Sequence, residues 1–352
     1  MKPLIAVGLS GGVDSLVAAA LLQEAGNDVI GIHFRIGFEN ESSHPRTPSG
    51  TSLEVRLKAA ADALKISLIC VDIAGEFRAD VVRYFLREYQ NGRTPNPCMI
   101  CNRRIKFGAL LNRASALGAT RLATGHYARL SRDPFGRYQL LRGVDRNKDQ
   151  SYFLSLLTQD QLNSACFPLG TYTKKDVKNM ARRFQIARLA ADESQEVCFI
   201  EGNDYTRFLA KEGIRGSPGP IVDSTGKVLG THQGLFAYTI GQRRGIGIPA
   251  SEPYYVIRLD IENNQLVVGY ETELYAAECE VEGINWIARP PKHPIRIEIR
   301  IRYKHQEAPA TLFPKDTATA LIRFDHPQPA VTPGQGAVFF QGEQVIGGGW
   351  IR

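Results

Sequence analysis

Six residues, Ser10-Gly11-Gly12-Val13-Asp14-Ser15, stand between an unbroken apolar run, Leu4-Ile5-Ala6-Val7, and a segment whose apolar side chains recur at Val13, Leu16, Val17, Ala20 and Leu21. The run fits a strand buried on both faces, as in a parallel sheet, and the second spacing fits one face of a helix. A Ser/Gly turn between them leaves backbone N–H groups unpaired at the positive end of the helix dipole, which suits phosphate. The two glycines let backbone approach a ligand without interference from a Cβ. Asp14 is the odd member, because a carboxylate beside phosphate is repelled unless a cation stands between; Mg²⁺ is therefore expected. The plainer alternative is a Gly-rich turn opening an ordinary helix. Strand, helix and the Ser/Asp/Ser set together favour phosphate binding.

The pattern continues in the same style. Strands are expected at Val29 to Phe34, Ser67 to Val71 and Arg121 to Thr124, with helices at Leu53 to Leu64, Glu76 to Tyr89, Ile105 to Leu117 and Lys174 to Phe184. Alternating strand and helix imply an α/β fold whose parallel sheet is covered on both faces and binds ligands at its strands' carboxyl ends. Residues 37–52 are polar, rich in Ser and Pro, and read as a mobile loop or lid. After Asn203 helical periodicity fades. Hairpins are expected at Ile221 to Leu229 and Tyr254 to Val268, and Ile295 to Tyr303 alternates as a half-buried antiparallel strand does. The tail from Cys279 onward is expected to close into a small β barrel.

Composition excludes some classes. A chain of 352 residues with 43% hydrophobic and 22% charged content has the make-up of a soluble globular protein of two or three domains. No apolar stretch approaches the ~20 residues that span a bilayer, so no membrane partner is expected and cytoplasm is the expected compartment. The net charge of +7 favours a polyanionic partner. Its placement says more: between Arg78 and Arg113 eight Arg/Lys residues face only Asp80 and Glu88. Arg103, Arg104 and Lys106 fall in the opening turns of a helix, where cations oppose the dipole, so helix stability does not explain them.

Six cysteines in such a chain do not imply disulfides. Cys70, Cys166 and Cys279 are expected to act as small core hydrophobes. Cys98 and Cys101 form a C-x-x-C at the mouth of a helix, stiffened by Pro95 and Pro97, and a thiol there beside cations should have a depressed pKa. A structural zinc site would need further ligands at short spacing, a redox pair would follow the first strand of its own fold without a phosphate loop, and inert cysteines in a turn are the plain alternative. Sulfur chemistry or an iron–sulfur cluster is the favoured reading, with Cys198, which alone would read as a core residue, as a third thiol.

The Ser/Gly loop lacks the Lys of G-x-x-x-x-G-K-S/T and so is no Walker loop. It resembles the pyrophosphate loop of adenylating enzymes, which cleave ATP between the α and β phosphates. Further stretches sharpen the likeness: Gly92-Arg93-Thr94-Pro95-Asn96-Pro97, Lys106-Phe107, Ala123-Thr124-Gly125-His126-Tyr127, Asn147 to Phe153, Cys198-Phe199-Ile200, Gly241 to Gly245 and Thr332 to Gln335. In this order, and spanning the whole chain, they resemble the tRNA-specific 2-thiouridylase family. The resemblance implies an ATP pyrophosphatase catalytic domain over 1–203, a small β-rich RNA-binding domain over 204–276 and a β barrel over 277–352. It implies ATP-dependent replacement of the C2 oxygen of the wobble uridine (U34) of tRNA by sulfur, with release of AMP and pyrophosphate. Gly8, Leu9, Ser10, Gly11, Gly12, Val13, Asp14 and Ser15 would hold ATP, with Phe34 and Gly125 flanking it. Cys198 would carry the sulfur and Cys101 would act as the catalytic thiol. Asn96, Pro97, Cys98, His126, Lys148, Asp149, Gln150, Arg302, Tyr303 and Gln335 would contact tRNA. For His126, a turn with a satisfied imidazole is the competing reading.

One position departs from the family. Many members carry Asp where this chain has Cys98, so the acid/base role given to that Asp passes to no carboxylate here. The thiols of Cys98, Cys101 and Cys198 match the ligand count of a 4Fe–4S cluster with one open iron, and they equally permit a persulfide route. The sulfur donor is expected to be a cysteine desulfurase, a relay protein or sulfide, and the chain to act as a monomer. Two other functions compete: a pyrophosphate-loop amidating synthetase for a small molecule, which would not need the cysteines, and a non-catalytic RNA-binding protein, which would not need Asp14.

Overall fold

The computed structural model describes residues 2–39, 53–189 and 197–352, so the loop expected over 37–52 lies outside the described residues from 40 onward. The first half contains β1 (Leu4–Gly8), β2 (Asp28–Arg35), β3 (Ser67–Asp72), β4 (Arg121–Ala123), the hairpin β5 (Ala128–Arg132) and β6 (Tyr138–Arg142), and β7 (Ala165–Cys166). Strands β3-β2-β1-β4-β7 make one parallel sheet. Its centre is apolar because both faces are covered: Ile5 and Val7 pack with helices Val13–Glu24, Leu53–Leu64 and Lys174–Arg183, while Ala6 turns to the face holding Phe107 and Leu110. The chain runs outward from β1 to β2 and β3, then returns to place β4 on β1's other side. That reversal between β1 and β4 is the switch point at which α/β sheets open a ligand crevice.

A second sheet, β10-β11-β8-β9, is built from β8 (Gly219–Val222), β9 (Val228–His232), β10 (Tyr255–Asp260) and β11 (Gln265–Gly269). The tail supplies β12 (Tyr275–Trp286), β13 (Ile295–Arg300), β14 (Ala308–Pro314), β15 (Ala320–Pro329), β16 (Gly336–Gln341) and β17 (Gln344–Ile351). These run β12-β15-β14-β13-β16-β17, and β17 pairs back onto β12, closing a barrel as the alternation predicts. Closure leaves no free edge among these six strands. The expected strand Ile295 to Tyr303 stops at Arg300, whose buried side chain breaks the alternation.

The unforeseen element is the β5–β6 hairpin. It belongs in sequence to the first half, yet β6 pairs with β17 and extends the barrel's sheet. Arg137 adds to this seam by donating to the carbonyls of Trp286, Ile287 and Ala288 at 2.6–3.2 Å. An aromatic cluster makes a second seam: Phe199 meets Phe77, Phe85 and Phe208 with ring centroids 5.3–5.5 Å apart. It fixes the segment after Cys198 against the helical run Ala74–Phe77, Arg78–Val82 and Arg83–Gln90.

Candidate active site

The turn after β1 has the form its residues imply. Gly11 adopts φ +84°, a conformation costly for other residues, and Gly12 caps helix Val13–Glu24 with no side-chain acceptor. The opening amides of that helix are thus left for a ligand. Ser15 Oγ donates to the Gly12 carbonyl at 2.9 Å and accepts from Ser10 N at 3.3 Å, so the turn is braced from inside.

Asp14 has a partner that its sequence neighbourhood does not reveal. Lys174 Nζ lies 2.7 and 2.8 Å from its two carboxylate oxygens, and Tyr127 Oη donates to Oδ1 at 2.8 Å. An ammonium from 160 positions along the chain thus neutralises this carboxylate. Lys174 is placed by a capping box, Thr173 with Asp176, and its own amide donates to Asp145 at 2.9 Å. Mg²⁺ still fits the site. Such an ion is held by one or two carboxylates and by the phosphates themselves, and among the described residues no group of three acidic, His or Cys side chains competes for it.

The stretch Thr124 to Tyr127, after β4, closes the crevice. A Cβ on Gly125 would lie 2.9 Å from the backbone of Asp14 and Ser15, so only glycine lets this turn lie against the phosphate loop. His126 faces the other way and is buried; its Nδ1 is 2.7 Å from Thr124 Oγ1 and its Nε2 is 3.5 Å from Lys106 Nζ. Burial, then the Lys106 charge, hold its pKa well below the ordinary imidazole value, so it is neutral. Both ring nitrogens thus have partners within the protein.

Lys106 leads to the thiols. Asn96 caps the short helix Pro97–Ile100 by accepting from Met99 N, and Cys98 lies inside that turn with Cys101 just after it. From Cys101 to Leu110 the winding is π-helical, and Leu111 N donates to the Lys106 carbonyl five residues back. In an α-helix residues five apart lie more than a third of a turn from each other. The wider winding brings Cys101 and Lys106 toward one face, and such segments recur at functional sites. Gln161 Nε2 supports it by donating to the carbonyls of Arg103 and Phe107 at 2.7 and 2.9 Å.

The expected depressed thiol pKa is not found. Cys98 and Cys198 are exposed and Cys101 is half-buried, yet the protein crowded around the sulfurs disfavours the thiolate. Desolvation raises Cys98, pushes Cys101 up to about 11 and Cys198 to about 12, with Lys106 opposing in each case. Burial outweighs the dipole of the continuous helical run that begins at Pro97. The three thiols do feel one another's charge, so the loops carrying them converge, and Val197 packs with Cys101 on the same aromatic cluster. The donor chemistry has the composition of a cluster site. Among the described residues, however, no three such side chains are gathered to hold a metal.

The remaining sequence-derived residues divide. Phe34 is the penultimate residue of β2, near its carboxyl end, half-buried. Asp149 is buried and bonds Gly143 N, Ser151 N and Ser151 Oγ at 3.0–3.1 Å; Gln150 Oε1 accepts from Tyr127 N. Both brace turns. Arg302 is exposed, whereas Tyr303 packs on Phe153 with centroids 4.3 Å apart. A cleft of about 790 Å³ brings Asn147, Asp149, Tyr303 and Lys304 together where the first half meets the barrel. Four of the eight cations between Arg78 and Arg113 are paired with carboxylates: Arg78 with Glu212, Arg87 with Glu88, Arg93 with Glu88 and Glu282, Arg113 with Glu76. Cys279 is buried as expected, but Cys70 is exposed because β3 is a sheet edge.

A Ser/Gly turn at the crossing point of a parallel sheet, with a cation-held carboxylate beside it, defines a nucleotide-binding α/β protein that grips phosphates by backbone. Residues 3–202 match the profile described as tRNA methyl transferase HUP domain, 206–270 the tRNA methyl transferase PRC-barrel domain, and 276–351 the Aminomethyltransferase beta-barrel domain. Full-length relatives are more specific. The chain is 47% identical to the tRNA-specific 2-thiouridylase MnmA of Desulfosudis oleivorans, covering 100% of this chain and 95% of that one. It is 44% identical to the proteins of the same name from Geotalea uraniireducens (99% and 94% covered) and Heliobacterium modesticaldum (100% and 93%). The chain belongs to the tRNA-specific 2-thiouridylase family.

Proposed function

We propose that this protein replaces the C2 oxygen of the wobble uridine of tRNA by sulfur at the expense of ATP. One observation carries the reading: the stretch Thr124 to Tyr127 serves two chemistries at once. Its Gly125 and Tyr127 lie against the phosphate loop and Asp14, while its His126 holds Lys106, whose charge reaches all three thiols. A base at that point lies between an α-phosphate and a sulfur, as activation followed by substitution requires.

The C2 oxygen attacks the α-phosphorus of ATP; the bond to the bridging oxygen breaks and pyrophosphate leaves. The free amides at Val13 and Asp14 and the Lys174 ammonium offset charge on the phosphates; Mg²⁺, which Asp14 would hold, would supply further neutralisation. A persulfide on Cys198, charged by a desulfurase, a relay protein or sulfide with an oxidant, attacks C2. The C2–O bond breaks and AMP departs with the oxygen. Cys101 thiolate then cleaves the S–S bond, leaving C2=S on the base and a Cys101–Cys198 disulfide that an external thiol reduces. Both thiols are protonated in the free protein, so each gives up a proton before it attacks, and the Lys106 charge is what favours the thiolate. The base must leave its stack to reach the crevice. The cytoplasm supplies ATP, tRNA and reductant together, and no described helix is long and apolar enough to cross a membrane.

Incubation with ATP, Mg²⁺, a desulfurase with cysteine and unmodified tRNA tests this. Mass spectrometry should find 2-thiouridine only at the wobble position, with one AMP per thiouridine. AMP formation from RNA lacking the anticodon would contradict it. Among the described residues no three thiols are gathered as a cluster would need, so the persulfide route is the one proposed. Anaerobically purified protein that is brown, holds stoichiometric iron and loses both in Cys98→Ala would favour delivery from a cluster instead.

A further inference from the structure

Two arginines are buried where the first half of the chain meets the barrel. Arg142, at the end of β6, is 4% exposed, and Arg300, at the end of β13, is 8% exposed. A guanidinium keeps its charge at that depth, so each needs carboxylates around it. Glu307 accepts from both; Arg142 also reaches Glu298 at 3.0 Å, and Arg300 reaches the buried Asp149 at 3.4 Å. Both guanidiniums lie over the Phe340 ring, 3.8 and 5.5 Å from its centroid. The pairs cross the seam in both directions, Arg142 from the hairpin to the barrel and Arg300 from the barrel to Asp149.

Asp149 stands in the turn Lys148 to Gln150, and Glu307 ends the loop that carries Arg302 and Tyr303. Gln150, next in the turn, exchanges two hydrogen bonds with Tyr127 at 3.0 and 3.1 Å, and Tyr127 holds Asp14. Contiguous contacts therefore lead from the barrel loop to the phosphate loop. Tyr303 on Phe153 is an apolar link across the same seam.

We propose that Arg300 is a positioning residue for tRNA: through Asp149 and Glu307 it holds the Arg302–Tyr303 loop against the Lys148–Gln150 turn, so that both meet the RNA as one surface. This rests on the thiolation reading above and on the RNA contacts that the family resemblance implies for the two segments. The buried cluster sets two cations against three carboxylates. It does not itself attract phosphate, and that falls to exposed charges such as Arg302, whose backbone the cluster places.

Filter binding of tRNA over a range of salt tests it, with single-turnover thiolation in parallel. Arg300→Met should weaken tRNA binding about tenfold and make the salt slope shallower by about 1, as the Arg302 contact is lost. The rate at saturating tRNA should stay within about threefold. Arg302→Ala should weaken binding about fivefold to tenfold in the parent but less than about twofold in Arg300→Met, because contacts that act as a unit are not additive. Should Arg300→Met not fold, Asp149→Asn cuts the same link while keeping the oxygen that accepts from Gly143 N and Ser151 N, and it should show the same non-additivity with Arg302→Ala. Additive losses, an unchanged salt slope, or a lower rate at saturating tRNA with binding intact would overturn the proposal. Binding is read without turnover, so a parent protein that binds tRNA yet makes no thiouridine would count against the function alone.

Discussion

At the scale of single residues, the strongest claim concerns Lys174. Its pair with Asp14 spans 160 positions and is mostly buried, with side-chain exposures of 11% and 23%. Lys174→Met leaves Asp14 facing phosphates without its cation. AMP formation should fall more than about a hundredfold, and thermal unfolding should show a loss of about 1.5–3 kcal/mol. Filter binding of tRNA should stay within about twofold, since the residue stands on the nucleotide side. His126 gives a pH signature. Its folded pKa lies below the unfolded value near 6.5. The unfolded chain therefore takes the extra proton as pH falls through that value, and stability is lost on going from pH 7 toward 5. The slope is at most about 1.4 kcal/mol per pH unit, and denaturant melts of His126→Gln should be flatter over that window. Cys101, pushed up to about 11, should be alkylated at pH 8 about a hundredfold more slowly than a free thiol. Fast labelling of the ligand-free protein would contradict the buried-thiol account.

At the scale of elements, local signals were legible where one segment carries its own reason to form. Helix Leu53–Leu64 ends where its periodicity predicts, and Leu57, Ala60, Ala61 and Leu64 make one buried face. The Ser/Gly turn was equally plain. The β5–β6 hairpin was not: Arg129, Arg132 and Arg142 obscure its alternation, and its pairing partner, β17, is 200 residues away. Nor could the Lys174–Asp14 pair or the π winding be read, since one is a long-range contact and the other is set by Gln161 gripping carbonyls from outside. The depressed thiol pKa was expected from a helix mouth, and packing around it reversed the sign. The turn at Gly125 offers the sharpest test at this scale. Gly125→Ala places a Cβ against the Asp14 and Ser15 backbone and must displace the phosphate loop. It should abolish AMP formation while lowering stability by about 1–3 kcal/mol; normal turnover would show that the close approach is dispensable.

Over the whole molecule, two distant parts of the chain are made into one site. The parallel sheet offers the nucleotide crevice, the aromatic cluster brings the Cys198 segment to Cys101, and the barrel steadies the approach to Cys98. The charge of +7 gives this assembly an attraction for RNA. The logarithm of tRNA affinity should fall with the logarithm of salt with a slope steeper than about −2, as expected for three or more phosphate contacts. Most of the architecture was foreseeable because the strand–loop–helix opening and the alternating tail each constrain their own topology. What joins them was not, since it rests on contacts between segments that local periodicity does not connect. In the proposed reaction the C2 oxygen leaves the base with the nucleotide, and isotope transfer measures that directly. With ¹⁸O at C2 of the wobble uridine, AMP released during thiolation should carry one ¹⁸O atom for each thiouridine formed; unlabelled AMP alongside labelled phosphate or water would contradict it.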